Sequence, residues 1–138
     1  MTEFLCLHHA SVVVAELIIA LRFYVDVLGL ALDDSRPDMD FSGAWLKMGE
    51  QQIHLLELPN FDPATGRPEH AGRDRHTALL VTGLAALEQR LEKNAVSFTR
   101  SRSGRHAVFC RDPDGNGIEL IEHADSGGFP STRPGPAP

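Results

Sequence analysis

Residues 53–55 read Ile-His-Leu, and residues 118–120 read Ile-Glu-Leu. Side chains on a β-strand alternate between its two faces, so in each triplet the two apolar residues share one face. That face can pack on a hydrophobic core, while His54 or Glu119 projects from the opposite, open face. His54 and Glu119 are 65 positions apart in the chain.

A second pair of segments recurs at almost the same offset. Residues 9–14 read His-Ala-Ser-Val-Val-Val, and residues 76–81 read His-Thr-Ala-Leu-Leu-Val. His9 and His76, which open these β-branched and apolar runs, are 67 positions apart. A nearly constant offset between chemically similar positions indicates an internal duplication.

The elements predicted around these positions follow the same order twice. Each half reads as a strand, a helix with apolar residues at helical spacing, and three further strands. We therefore predict an α+β protein with a βαβββ module over residues 5–58 and a second over residues 75–123. Residues 59–74, rich in Pro and Gly, are predicted to be a linker loop. Residues 124–138 have little to bury and are predicted to be a disordered tail.

Charge and composition exclude several classes of protein. A net charge of −6 argues against a general nucleic-acid binder, which is usually basic. No apolar run approaches the roughly 20 residues needed to span a bilayer, and no signal peptide is evident at the N-terminus. The two cysteines, Cys6 and Cys110, are too few for a disulfide framework and favour a reducing cytoplasm.

The four repeated positions carry three imidazoles and one carboxylate, which are common metal ligands. A single histidine in a strand is more often a hydrogen-bonded structural residue than a ligand. Equivalent positions in a repeat, all on the predicted open face, favour a metal site. We predict one divalent ion, Zn, Ni, Mn or Fe, because the ligand types do not choose among them. The predicted ligands are His9, His54, His76 and Glu119.

Three further residues are candidates for contact with a substrate. Arg75 and Arg105 belong to a local surplus of arginines in an acidic protein, which would suit a substrate carboxylate or phosphate. A solvated surface is the alternative for these arginines. Trp45 would line the pocket or belong to the core. Glu119 is the only carboxylate among the candidate ligands, so it or an unbound group would serve as the base in any proton transfer.

Two longer segments carry a resemblance to a known superfamily. Residues 21–30 read Leu-Arg-Phe-Tyr-Val-Asp-Val-Leu-Gly-Leu, and residues 112–120 read Asp-Pro-Asp-Gly-Asn-Gly-Ile-Glu-Leu. The chain resembles the vicinal oxygen chelate superfamily, which includes glyoxalase I, extradiol dioxygenases, thiol transferases and bleomycin-binding proteins. The resemblance implies two βαβββ modules pairing into an open, concave eight-stranded mixed sheet around a divalent metal. It places the ligands at the four positions that the repeat identifies.

The resemblance implies a metal-dependent enzyme acting on a small-molecule substrate, a lyase or isomerase of the lactoylglutathione lyase type. His54 is a departure, because glyoxalase I typically has a glutamate there. The remaining two histidines and one carboxylate match the superfamily's dioxygenases and thiol transferases, which stay as alternatives. A non-enzymatic binding protein of the bleomycin type is the third possibility. Exposed sheet edges and the size of the chain predict a homodimer.

Overall fold

The structure is a computed structural model that describes residues 1–124. Except for its first residue, the predicted disordered tail lies outside the described residues. The first module comprises β1 His9–Val14, α1 Leu17–Leu21 with a π-helical continuation Arg22–Val27, β2 Ala31–Asp33, β3 Gly43–Met48 and β4 Gln51–Glu57. The second comprises β5 His76–Val81, α2 Leu84–Lys93, β6 Phe98–Arg100, β7 Ala107–Arg111 and β8 Gly117–Glu122. The predicted βαβββ order is confirmed in both halves.

Hydrogen bonding groups the eight strands into two open sheets of four. Their orders are β1-β4-β3-β2 and β5-β8-β7-β6. In each sheet the first and last strands of the module pair in parallel, and the other neighbours are antiparallel. The predicted mixed, open, glyoxalase-like architecture is therefore confirmed. It places β1 directly beside β4, and β5 directly beside β8, which brings the candidate ligands of each module together.

The buried apolar side chains of both modules form one hydrophobic cluster, which joins the two helices to the apolar strand faces that the alternation predicts. Ile53 and Leu55 are buried on the face of β4 opposite to His54. Ile118 and Leu120 are buried on the face of β8 opposite to Glu119. The fully buried side chains include Tyr24, Leu46, Leu55, Leu84, Leu91 and Leu120. The apolar faces thus fix the polar residues of β4 and β8 on the opposite surface.

The helix of the first module ends at a contact with the helix of the second. Gly29, at φ +86°, takes the left-handed conformation that commonly follows a helix and favours glycine. The Arg90 guanidinium of α2 donates a 3.0 Å hydrogen bond to the Leu28 carbonyl, one of the unpaired carbonyls at that helix end. Within residues 1–124, no helix is long and apolar enough to cross a membrane.

The turn between β7 and β8 fastens the second module to the first. Asp112 is 5% exposed and accepts hydrogen bonds from the Tyr24 hydroxyl at 2.8 Å and from the Asn116 backbone N–H at 2.9 Å. Asn116 also donates from its side chain to the Val13 carbonyl at the end of β1. Burial raises the pKa of Asp112, although these hydrogen bonds oppose the rise. Burial and the neighbouring Asp112 raise the pKa of Tyr24 well above its ordinary value.

Candidate metal centre

In the second module, His76 and Glu119 face each other across neighbouring strands. Nε2 of His76 lies 3.3 Å from Oε2 of Glu119. The other ring nitrogen, Nδ1, lies 2.9 Å from the backbone carbonyl oxygen of Asp74, which can only accept a hydrogen bond. Nδ1 therefore carries a proton, and in the neutral ring Nε2 presents a lone pair towards Glu119. A lone pair and a carboxylate at this distance repel each other unless a proton or a metal ion lies between them.

Glu119 is unusually buried for a carboxylate. It is 2% exposed, and its Oε1 has no hydrogen-bond partner among the described residues. The nearest guanidinium is that of Arg105, whose Nη2 lies 3.7 Å away on a largely exposed side chain. Removing a carboxylate from water is costly unless a cation or hydrogen bonds compensate it. Oε1 accepts no hydrogen bond and has only the exposed Arg105 guanidinium near it, which fits a site that receives a cation.

In the first module, three aromatic rings form a stack. The His54 ring lies between His9, at a centroid distance of 4.0 Å and an interplanar angle of 16°, and Trp45, at 4.5 Å and 8°. His54 Nε2 also lies 2.8 Å from Oε1 of Gln52. Burial, helped by repulsion from His9, lowers the pKa of His54, so that its ring is neutral at pH 7. A neutral imidazole is the form that binds metals.

His9 is exposed and has a separate neighbour. Its Nδ1 lies 2.8 Å from Nδ1 of His8, so one of the two nitrogens is protonated and the other accepts. Ring lone pairs lie in the ring plane, and the planes of His9 and His54 are stacked and nearly parallel. Both rings can therefore bind one ion only after one of them rotates, and His9 is the more exposed of the two.

The four predicted ligands thus form two pairs, one on each sheet. Within residues 1–124, no three His, Cys, Asp or Glu side chains are grouped so that they could hold a metal ion. The chemistry of the donors nevertheless fits a divalent ion. Two ligands at about 2.1 Å from a metal and at right angles are about 3 Å apart, close to the separation of Nε2 and Oε2 in the second pair. Each pair would supply half of a four-ligand site.

Comparison with known protein families identifies the family of this chain. A profile of the glyoxalase/bleomycin resistance protein/dioxygenase superfamily matches residues 6–120. The chain belongs to this superfamily. The resemblance predicted from the two marker segments is confirmed.

Individual glyoxalase-superfamily relatives are more distant. The chain is 30% identical to a lactoylglutathione lyase from Escherichia coli O157:H7 over 127 residues, covering 86% of this chain and 93% of the relative. It is 24% identical, with a TM-score of 0.70, to the structure of a protein from Bacillus anthracis described as belonging to the glyoxalase family, covering 90% and 99%. A lactoylglutathione lyase structure from Agrobacterium tumefaciens gives 24% identity, a TM-score of 0.59, and coverage of 85% and 92%. Identity this low to the two structures establishes the glyoxalase fold alone.

Two of the three predicted substrate contacts lie beside the candidate ligands of this glyoxalase fold. Trp45 stacks on His54, and Arg105 approaches Glu119. Arg75 instead forms an exposed ion pair with Asp62, with Nη2 and Oδ2 3.2 Å apart. Its guanidinium is therefore engaged with the linker.

Several residues near the two pairs were not recognised in the sequence. Gln52 and Asp33 form a hydrogen-bonded chain that ends on His54. Phe109 pairs with Glu119 across the sheet and packs edge-on against His76 at 5.2 Å. The period-two alternation of β4 would have placed Gln52 on the face of His54, since the two are two residues apart. No comparable signal marks Asp33, because it comes from the far edge of the sheet.

Proposed function

We propose that this protein is a metal-dependent enzyme of the lactoylglutathione lyase type, which isomerises a small substrate with oxygens on adjacent carbons. The observation that carries the proposal is the pair formed by His76 and the buried Glu119 in the second module. Nε2 of a neutral His76 and Oε2 of Glu119 face each other as two acceptors, and Oε1 of Glu119 accepts no hydrogen bond among the described residues. The 30% identity to a lactoylglutathione lyase along most of both chains supports the reaction class.

The proposed chemistry is a proton transfer between adjacent carbons. A bound divalent cation would supply Lewis acidity, stabilising negative charge as it develops on the substrate oxygens. Glu119 is the residue that we assign as the base: it removes the proton from one carbon and returns it to the next. One carbon is oxidised from the alcohol to the carbonyl level while its neighbour is reduced by the same two electrons, and the hydroxyl proton passes from the first oxygen to the second, so the step needs no external oxidant. Burial of Glu119 keeps bulk water from the carboxylate during the transfer.

Arg105 and Trp45 would hold the substrate. The Arg105 side chain is 60% exposed and is therefore free to bind an anionic group of the substrate while its tip stays near Glu119. Trp45 closes the outer side of the ring stack in the first module and offers an apolar wall. Arg75 is a weaker candidate for binding the substrate, because its guanidinium already forms an ion pair with Asp62.

We further propose that two copies of the chain complete each site. One copy would contribute His76 and Glu119, and the other His9 and His54. The separation of the ligands into two pairs, each on the open face of its own sheet, supports this arrangement. It agrees with the homodimer predicted from the sequence. Both cysteines are free, which supports the predicted cytoplasmic location.

The experiment that tests the proposal is a metal titration followed by an activity screen. Trp45 is the only tryptophan and lies against His54, so its fluorescence is expected to change as Zn²⁺, Ni²⁺, Mn²⁺ or Fe²⁺ binds. Wild type should bind one ion per chain, His76→Ala should bind much more weakly, and His106→Ala, which removes an exposed histidine, should behave as wild type. Wild type that binds no ion would overturn the proposal.

The metal-loaded protein would then be assayed with methylglyoxal and glutathione, which combine into a hemithioacetal. Turnover that disappears in His76→Ala and survives in His106→Ala is the expected result. Turnover of a catechol by the Fe²⁺-loaded protein would support the dioxygenase alternative instead, for which His9, His76 and Glu119 supply two histidines and one carboxylate. Metal-independent binding of bleomycin without turnover would support the binding-protein alternative.

A further inference from the structure

His54 is the last member of a chain of side-chain hydrogen bonds that begins at the end of β2. Oδ1 of Asp33 accepts from the Ser35 backbone N–H at 2.9 Å and from the Ser35 hydroxyl at 2.6 Å. Oδ2 of Asp33 accepts from Nε2 of Gln52 at 2.7 Å. Oε1 of Gln52 in turn lies 2.8 Å from Nε2 of His54. This series of hydrogen bonds runs across the sheet, over the face that carries the candidate ligands.

Asp33 fixes the order of donors and acceptors along this series of hydrogen bonds. The hydrogen bonds from Ser35 hold the pKa of Asp33 at about 2, so at neutral pH the carboxylate can only accept. The amide of Gln52 must therefore turn its NH₂ group towards Asp33 and its oxygen towards His54. An amide oxygen only accepts, so Nε2 of His54 carries the proton. The lone pair of the neutral His54 ring is then on Nδ1.

The surroundings of His54 keep the ring in this orientation. Trp45 and His9 pack against its two faces, so a flip of the imidazole would have to pass between two stacked rings. Nδ1 has no hydrogen-bond partner within residues 1–124, which leaves it available to a ligand. A histidine that binds a metal through one nitrogen usually donates its other N–H to a fixed acceptor, which sets the tautomer and raises affinity.

We propose that Gln52 and Asp33 are positioning residues that fix His54 as the Nε2–H tautomer and so make Nδ1 the nitrogen that binds the metal. This inference rests on the proposed function, since it assigns a role within that metal site. It also gives His54 a role that a glutamate at the same position would not have. A carboxylate needs no tautomer to be chosen, whereas an imidazole without the Gln52 oxygen could present either nitrogen.

The first test measures the tautomer directly and needs no metal. Long-range ¹H–¹⁵N spectra of the metal-free protein with ¹⁵N-labelled histidine rings distinguish Nε2–H from Nδ1–H. The spectra are recorded at a pH about 1.5 units above the ordinary pKa of histidine, where an imidazole is neutral. Wild type should show His54 as the Nε2–H form. Asp33→Asn lets the Gln52 amide turn over and should yield a mixture of tautomers. Asp34→Asn makes the same charge change at the adjacent exposed residue and should keep the wild-type tautomer.

The second test measures Zn²⁺ affinity by competition with a chelator. Gln52→Leu and Asp33→Asn should each weaken binding by about 10- to 100-fold, with Asp34→Asn unchanged. Far-UV circular dichroism of each variant checks that the fold is retained. The proposal is overturned if wild-type His54 is the Nδ1–H form, or if Gln52→Leu binds Zn²⁺ as tightly as wild type. A wild type that binds no Zn²⁺ would reject the proposed function, while the tautomer spectra would still decide whether Gln52 and Asp33 fix His54.

Discussion

Nε2 of His76 and Oε2 of Glu119 lie 3.3 Å apart, and because the other ring nitrogen donates its proton to the Asp74 carbonyl, a neutral His76 ring turns a lone pair towards the carboxylate. In that neutral form the two acceptors repel each other, and a proton or a metal ion between them removes the repulsion. Loss of the Glu119 charge should weaken cation binding more than it weakens the fold.

Glu119→Gln tests this relationship. The amide keeps the size of the side chain and removes both the charge and the base. We expect hemithioacetal turnover to fall at least about 100-fold, the usual effect of removing a general base, and Zn²⁺ binding to weaken. The thermal midpoint of the metal-free variant should equal or exceed that of wild type, because the substitution removes a buried carboxylate that the exposed Arg105 guanidinium compensates only partly. Glu69→Gln, at an exposed linker position, is the control. A Glu119→Gln variant with full turnover would contradict the assignment of the base.

Complementation between two inactive variants tests whether sites form across chains. His54→Ala destroys the pair in the first module, and His76→Ala destroys the pair in the second. In a mixed dimer with cross-chain sites, one site carries both substitutions and the other carries neither. Mixing the variants after unfolding and refolding should therefore restore about one quarter of wild-type activity, since half of the dimers are mixed. Sedimentation of the mixture should show a dimer. If each chain holds its own complete site, no activity returns on mixing.

Much of this arrangement could be predicted from the sequence, because the hydrophobic alternation of β4 and β8 fixes which face His54 and Glu119 occupy. The division of the ligands into two pairs could not, since it depends on how the two sheets sit relative to each other, which the strand pattern does not determine. Glu57 and Glu122 show a signal that was available and missed. Each ends the last strand of its module, and they are 65 positions apart. At the start of its module's helix, Glu57 accepts one backbone hydrogen bond and Glu122 accepts two.

The buried hydrogen bond between Tyr24 and Asp112 links the helix of one module to the turn of the other. Tyr24→Phe removes the hydroxyl and leaves Oδ2 of Asp112 with one donor fewer in a buried position. We expect a loss of about 1–3 kcal/mol in the free energy of unfolding, measured by urea denaturation. Phe23→Leu is the control, because it changes the packing at the neighbouring buried position and removes no polar group. Comparing the two variants separates the effect of the lost hydrogen bond from the effect of lost packing. A Tyr24→Phe variant as stable as wild type would show that the link contributes nothing net.

Glu122 should make the stability of the second module depend on pH. Its carboxylate accepts from the backbone N–H groups of Leu84 and Gly83 at the start of α2, and these bonds lower its pKa from an ordinary 4.5. An acid with a lowered pKa in the folded state stabilises the protein fully above its ordinary pKa and loses that contribution as the pH falls through the folded value. Glu122→Gln should therefore lower the urea midpoint at pH 7. The difference in urea midpoint between the variant and wild type should close as the pH falls below 4.5.

Glu92→Gln, on the exposed face of α2, is the control, and its urea midpoint should lie close to that of wild type both at pH 7 and in acid. A gap for Glu122→Gln that is the same at pH 7 and in acid would mean that the charge of Glu122 does not stabilise the helix.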